Sequence, residues 1–157
     1  MNIWLQRISH YHEVSERLLE QKYLTIGFSD YVKKYEEYAD DKMIQENFEK
    51  DMGILYSKNF RPRFNLSKFL FEFKAGDFVV VPLWGKFSVY KILGQAESLT
   101  SLPEEVLRAA KIDAYFDKDG LLSEKETNKE IDLGFFIKVE PVKLKIPRDG
   151  YCSSALI

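Results

Sequence analysis

Residues 76–94 read GDFVVVPLWGKFSVYKILG, and how this stretch folds decides the rest of the chain. Phe78-Val79-Val80-Val81-Pro82 is a short β-branched run with the composition of a strand. A turn follows at Trp84-Gly85-Lys86. Phe87 to Ile92 then alternates, with Phe87, Val89 and Lys91 on one face and Ser88, Tyr90 and Ile92 on the other. The pattern predicts a β-hairpin whose first strand is apolar enough to be buried on both faces. Gly76 and Gly94 punctuate its ends, and Gly76 stands where the C-cap of a preceding helix is expected. The hairpin is the expected centre of a small, curved sheet.

Around it, 157 residues are enough for one domain that buries its apolar surface without disulfides. A hydrophobic fraction of 45% with 15% aromatics fits a packed core. The single Cys152 has no partner within the chain, which fits a reducing compartment, so a cytoplasmic location is expected. No apolar run approaches the ~20 residues that span a bilayer, and the N-terminus lacks the pattern of a signal peptide. Charge is unevenly spread. Residues 33–51 carry four basic and seven acidic side chains, and residues 104–132 five against nine. Residues 58–74 carry five basic and one acidic, a basic segment in an acidic chain that is compatible with a nucleic-acid face.

Upstream, Ile3 to Ile8 and Tyr23 to Phe28 read as strands. Between them Tyr11, Val14, Leu18 and Leu19 recur at helical spacing, with Ser9 as a cap. Another helix can begin at Ser29-Asp30. Ile44, Phe48 and Met52 form one thin apolar stripe on a solvated helix that Gly53 interrupts, and Asn59 to Pro62 reads as a loop. Leu66, Phe69, Leu70 and Phe73 share one side of an aromatic-rich helix. Downstream, Pro103 to Arg108 predicts a short helix with Pro in its first turn. Asp117 to Gly120 predicts a turn, followed by an exposed polar loop to Asp132. Leu133 to Ile146 predicts a strand pair or one bent strand broken at Pro141. Turn-like Pro147 to Gly150 leads to a tail, Tyr151 to Ile157, that reads as a helix start without a polar end. One domain of a longer protein is therefore expected.

Catalytic constellations are weak. His10 and His12 would diverge by about 200° on a helix, and no carboxylate or cysteine at ligand spacing joins them. A calcium loop ending at Gly120 would put Tyr115 at its first ligand position. Glu72-Phe73-Lys74, with Asp51 upstream, imitates a nuclease motif, but it falls at a helix end rather than on adjacent strands. Phosphate-binding glycine loops and Gly-x-Ser-x-Gly are absent, and Cys152 has no neighbouring base. Neither catalysis, a metal nor a cofactor is expected in this domain.

Aromatic and basic residues remain. Trp4, Phe28, Tyr31, Trp84, Phe87, Tyr90 and Tyr151 fall at strand ends and turns, with Arg61, Arg63, Lys68, Lys86 and Arg148 near them in sequence. Stacking platforms beside cations are what holds an extruded base. Most aromatics must be core at this composition. Trp84 is the least core-like, and Phe28 follows an Ile26-Gly27 step at which glycine permits close backbone approach.

The order of these pieces carries a resemblance. Trp4, Arg7 and Ile8 precede Tyr23-Leu24-Thr25-Ile26-Gly27-Phe28-Ser29. Then come the helix ending Lys74-Ala75-Gly76-Asp77, Val79-Val80-Val81-Pro82, and Phe87 to Gly94. Leu133-Gly134-Phe135 and Ile146-Pro147-Arg148 close the series. The chain resembles the PUA-like (EVE/YTH-type) N-terminal domain of Mrr- and McrB-like modification-dependent restriction systems, over roughly residues 3–100 and 133–150. Residues 103–132 then look like an insertion. The resemblance implies an α+β fold, a small curved β-barrel flanked by helices, over a single domain 1–157. It also implies binding of duplex DNA with a modified base flipped into an aromatic pocket, and a nuclease or NTPase domain elsewhere in the protein. Phe28 stands where the family often has Trp, which keeps a stacking face and loses the indole donor. Phe28, Ser29, Trp84, Phe87 and Tyr90 are the expected pocket. Arg61, Arg63, Lys68, Lys86 and Arg148 are the expected phosphate contacts. Alternatives are an RNA- or nucleotide-binding module and a protein-interaction domain of a defence complex.

Overall fold

The computed structural model describes residues 1–8 and 12–147. In chain order the elements are β1 (Ile3–Leu5), α1 (His12–Glu20), β2 (Tyr23–Ile26), α2 (Ser29–Glu37), α3 (Asp41–Leu55) and α4 (Arg63–Ser67). There follow β3 (Phe78–Leu83), β4 (Lys86–Ile92), β5 (Glu97–Ser98), α5 (Glu104–Ala109), β6 (Ala114–Phe116), β7 (Leu122–Glu124) and β8 (Phe135–Pro147). The architecture is α+β, a curled half-barrel sheet with helices around it. Strand order is β1-β3-β4-β8-β2, with β5 also on β8, so β1 and β2 are the two ends of an open sheet among the described residues. No helix among those residues is long and apolar enough to cross a membrane.

The hairpin forms as its sequence requires. Leu83 pairs with Lys86 across Trp84-Gly85, where Gly85 takes φ +61°, a left-handed geometry that glycine adopts without a Cβ clash. Val79 faces Tyr90 and Val81 faces Ser88, and all four are buried. Phe78 and Val80 are only half-buried, so β3 is not buried on both faces. It follows the rule for antiparallel sheets, with one face on the core and the other wetter.

The entry to β3 is fixed by Asp77, not by a glycine-capped helix. The helical run ends at Glu72, and Gly76 (φ +95°) instead occupies a tight turn in which the Asp77 amide donates to the Lys74 carbonyl at 3.0 Å. The buried Asp77 carboxylate accepts from Trp4 Nε1 and the Asn2 amide, each at 3.0 Å, and from the Lys74 amide at 3.2 Å. These donors, Trp4 foremost, hold its carboxyl below the usual range. They also tie β1, which runs parallel to β3, to the start of the hairpin.

One strand reading and two helix readings change. The strand at the N-terminus stops at Leu5. α3 runs through Gly53 to Leu55, with Ile44, Phe48 and Met52 buried as the stripe predicts. The helix after α4 widens into a π-helical turn over Lys68–Glu72. That extra residue per turn leaves Leu66, Phe69 and Phe73 buried and Leu70 half-buried.

β8 is one bent strand, not a pair. Its first part pairs with β2 and β5, and its second with β4, passing Pro141 opposite Tyr90. Register slips between Phe87 and Val89, and again between Val89 and Tyr90, carry the bend. Pro141 is tolerated at this irregular pairing.

The stretch to Asp132 is not simply an exposed loop. β6 and β7 pair across the Asp117–Gly120 turn, where Asp117 Oδ1 accepts from the amides of Asp119 (2.8 Å) and Leu121 (3.1 Å). Leu122, Ser123 and Ile131 are buried. Leu122 and Ile131, with Leu99, Leu102, Leu107 and Ile112, form a second apolar cluster against Leu18 and Phe136, separate from the main core. Ser9, the side chains of the histidine pair, Arg148, Tyr151, Cys152 and the C-terminal stretch lie outside the described residues.

Candidate base-binding cavity

The sharpest local anomaly is Phe28. It closes β2 and precedes α2 in the left-handed region (φ 62°, ψ 39°), which a bulky side chain rarely adopts. Its neighbours dictate that conformation. The Gly134 amide reaches the carbonyls of Ile26 (2.9 Å) and Gly27 (3.0 Å). A Cβ on Gly134 would stand 2.7 Å from the Gly27 oxygen and 2.9 Å from that of Phe28. Only glycine at 134 lets the two backbones approach this closely.

Across the same crossing, Asp132 caps α2. Its Oδ1 accepts from the Ser29 amide at 2.8 Å and from Ser29 Oγ at 2.7 Å, at the helix end where a negative charge is favoured. Ser29 Oγ also lies 3.1 Å from Glu130 Oε1. The serine hydroxyl is thus committed to carboxylates rather than to a ligand. Gly27 leaves room for this cap: a Cβ there would sit 3.2 Å from both the Asp132 carbonyl and Oδ2.

The clamped turn projects Phe28 against residues that no sequence pattern associates with it. Tyr56, just past α3, and Phe60, in the loop before α4, stack at 4.7 Å and 9°. Phe28 meets both edge-on, at 5.9 Å and 88° for Tyr56 and at 6.2 Å and 80° for Phe60. Together they wall a cavity of about 360 Å³. Gly27, Ile26 and Pro62 complete its apolar lining, and Gln6, Arg7, Asn65 and Asp132 supply polar groups. The volume falls in the range of small-ligand sites, about 300–1,000 Å³, and the mixture of aromatic walls with a few polar groups is typical of them. The Tyr56 hydroxyl is buried without a hydrogen-bond partner among the described residues. Burial, reinforced by the carboxylates of Asp30 and Asp132, holds it protonated well above the ordinary tyrosine range.

Of the five residues predicted to form one pocket, only Phe28 lines this cavity. Trp84, 81% exposed at the hairpin tip, lines a second cleft of about 300 Å³ with Pro82, Leu83, Ile8 and Arg7. Tyr90 is 6% exposed and belongs to the core. It borders a third cavity of about 210 Å³, because alternation along β4 turns it inward with Ser88 and Ile92. Phe87 alternates to the other face and is half-buried, opposite Pro82 and Ile146. Ser29 lies behind Phe28, holding Asp132.

The predicted cations divide in the same way. Arg63 is spent internally: Nε donates to Glu49 at 2.6 Å, Nη1 to the Phe60 carbonyl at 2.7 Å, and the guanidinium lies 4.4 Å from the Phe64 ring. It holds the loop that carries Phe60. Arg61, Lys68 and Lys86 are exposed and have no ion pair among the described residues. Arg148 lies outside them. Arg7, Tyr56, Phe60, Asn65 and Asp132 escaped the sequence reading. Tyr56, Phe60 and Asn65 signalled only by lying in or beside the basic 58–74 segment and Arg7 by following the Trp4 strand, while Asp132 gave no such signal. Comparison with known protein families, curated proteins and solved structures found no match.

Proposed function

We propose that this chain is a nucleic-acid-reading domain that takes one extruded base into the cavity walled by Phe28, Tyr56 and Phe60. The observation that carries the reading is this aromatic box, open beside a strained, clamped turn. Backbone strain held by surrounding structure is characteristic of ligand clamps. A flat heteroaromatic ligand suits the box, since stacking on such rings returns about 1–3 kcal/mol per base. Extrusion from a duplex costs a few kcal/mol, so backbone contacts must supplement stacking. Arg61 and Lys68, near the Phe60 loop in sequence, and Arg7 on the cavity wall are the cations available for it.

DNA carrying a modified base is the favoured ligand, in keeping with the resemblance to PUA-like domains of restriction systems. Catalysis would then belong to another domain of the same system. The test is a titration of duplexes with and without a methylated base, at several salt concentrations. Affinity falling with log salt, and falling further in Phe60→Ala, supports the reading. Affinity indifferent to salt, or no binding to any duplex at low salt, refutes it. Preference for structured RNA would move the same cavity to an RNA ligand.

A further inference from the structure

Arg7 has a position that the base cavity alone does not explain. It follows β1, its side chain is exposed, and no carboxylate pairs with it among the described residues. It lines both the Phe28 cavity of about 360 Å³ and the Trp84 cleft of about 300 Å³, so one arginine borders two spaces that each carry an aromatic side chain. The Trp84 cleft is apolar on its Pro82, Leu83 and Ile8 sides. Its one acid, Glu16, lies on α1, and Asp132 is the one acid of the other cavity. Oδ1 of Asp132 is already engaged by Ser29.

Two stacking spaces separated by one cation match the repeat of a nucleic-acid strand, in which each phosphate lies between two bases. A guanidinium presents a planar fork of donors that fits phosphate oxygens. We propose that Arg7 binds the phosphate joining two successive nucleotides, one with its base against Phe28, Tyr56 and Phe60, the next with its base against Trp84. The ligand recognised is then a single-stranded dinucleotide step, which in a duplex means the extruded base and one neighbour. The proposal rests on the base-cavity reading and adds to it a phosphate site and a second stacking site.

The test uses ligand-observed NMR titrations of the full chain. The probes are deoxynucleosides, their 5′-monophosphates, and matching dinucleotides with either a phosphodiester or an uncharged methylphosphonate linkage; 5-methylcytosine and N6-methyladenine are included. The phosphodiester dinucleotide is expected to bind at least tenfold more tightly than its methylphosphonate counterpart. Arg7→Ala is expected to abolish that difference, and Trp84→Ala to reduce dinucleotide affinity to that of the monophosphate. Equal affinity of charged and uncharged dinucleotides, with nucleosides still bound, overturns the phosphate site and leaves the base cavity standing. Retention of the full dinucleotide advantage in Trp84→Ala overturns the second stacking site. Absence of binding by any probe overturns both this proposal and the cavity reading beneath it.

Discussion

Replacing Phe28 by Gly and by Ala separates the strain of the β2–α2 turn from the contribution of the ring. Both variants remove the ring and its edge contacts with Tyr56 and Phe60. They differ in backbone cost. At φ 62° and ψ 39° an alanine retains the left-handed penalty, about 1–2 kcal/mol, which glycine does not pay. Glycine in turn loses about 0.5–1 kcal/mol more chain entropy on folding. The difference leaves Phe28→Gly about 0.5–1 kcal/mol more stable than Phe28→Ala, the reverse of the usual order for these residues. With a urea m-value of about 2 kcal/mol/M, that is a midpoint higher by roughly 0.3–0.5 M. Against the native chain, each variant loses two aromatic edge contacts of about 0.5–1.5 kcal/mol apiece, so the glycine variant recovers part of that loss by shedding strain. Urea unfolding followed by tryptophan fluorescence measures all three. If Phe28→Ala proves as stable as Phe28→Gly or more so, the turn is not strained and Gly134 does not impose it.

Gly134→Ala should destabilise by about 1–3 kcal/mol, because its Cβ would meet backbone oxygens that no rotamer change can move; thermal unfolding measures it, and an unchanged midpoint would show that the crossing relaxes freely. Asp77→Asn keeps the shape but exchanges an acceptor for a donor facing Trp4 Nε1 and the amides, for a loss of about 1–3 kcal/mol. The pH dependence has a definite sign. The folded carboxyl titrates below its unfolded value, so its contribution is present above the unfolded pKa and is lost as pH falls through the folded one. The native chain should therefore lose more stability on acidification than Asp77→Asn, and parallel pH profiles for the two would contradict this.

The frame was legible in the sequence wherever one residue type had one physical meaning. Alternation from Phe87 to Ile92 set the inward face of β4, and Gly85 set a two-residue turn. The four-residue recurrence of Ile44, Phe48 and Met52 set the buried side of α3. Gly27 marked a close backbone approach beside Phe28, where Asp132 packs. The cavity was not legible, because its walls come from segments separated by long intervals and joined only by packing. Tyr56 and Phe60 lie at a helix end and in a loop, where no periodicity distinguishes a wall from a surface ring. Tyr90 was placed in the pocket as one of the aromatics near strand ends and turns, yet the alternation that put it beside Ile92 already turned it inward. Arg63 looked like a surface cation, and only the fold brings Glu49 within 2.6 Å of it. The second apolar cluster was hidden because Leu107, Ile112, Leu122 and Ile131 lie in short apolar steps separated by charged residues.

The most direct test of the base cavity is an amide chemical-shift map of the isotope-labelled chain titrated with a duplex carrying one methylated base. A base held in this cavity predicts the largest shifts at Gly27, Phe28, Tyr56, Phe60 and Arg7, with little change at β6 and β7. Shifts absent from these residues, or concentrated on the β6–β7 side of the molecule, would contradict it.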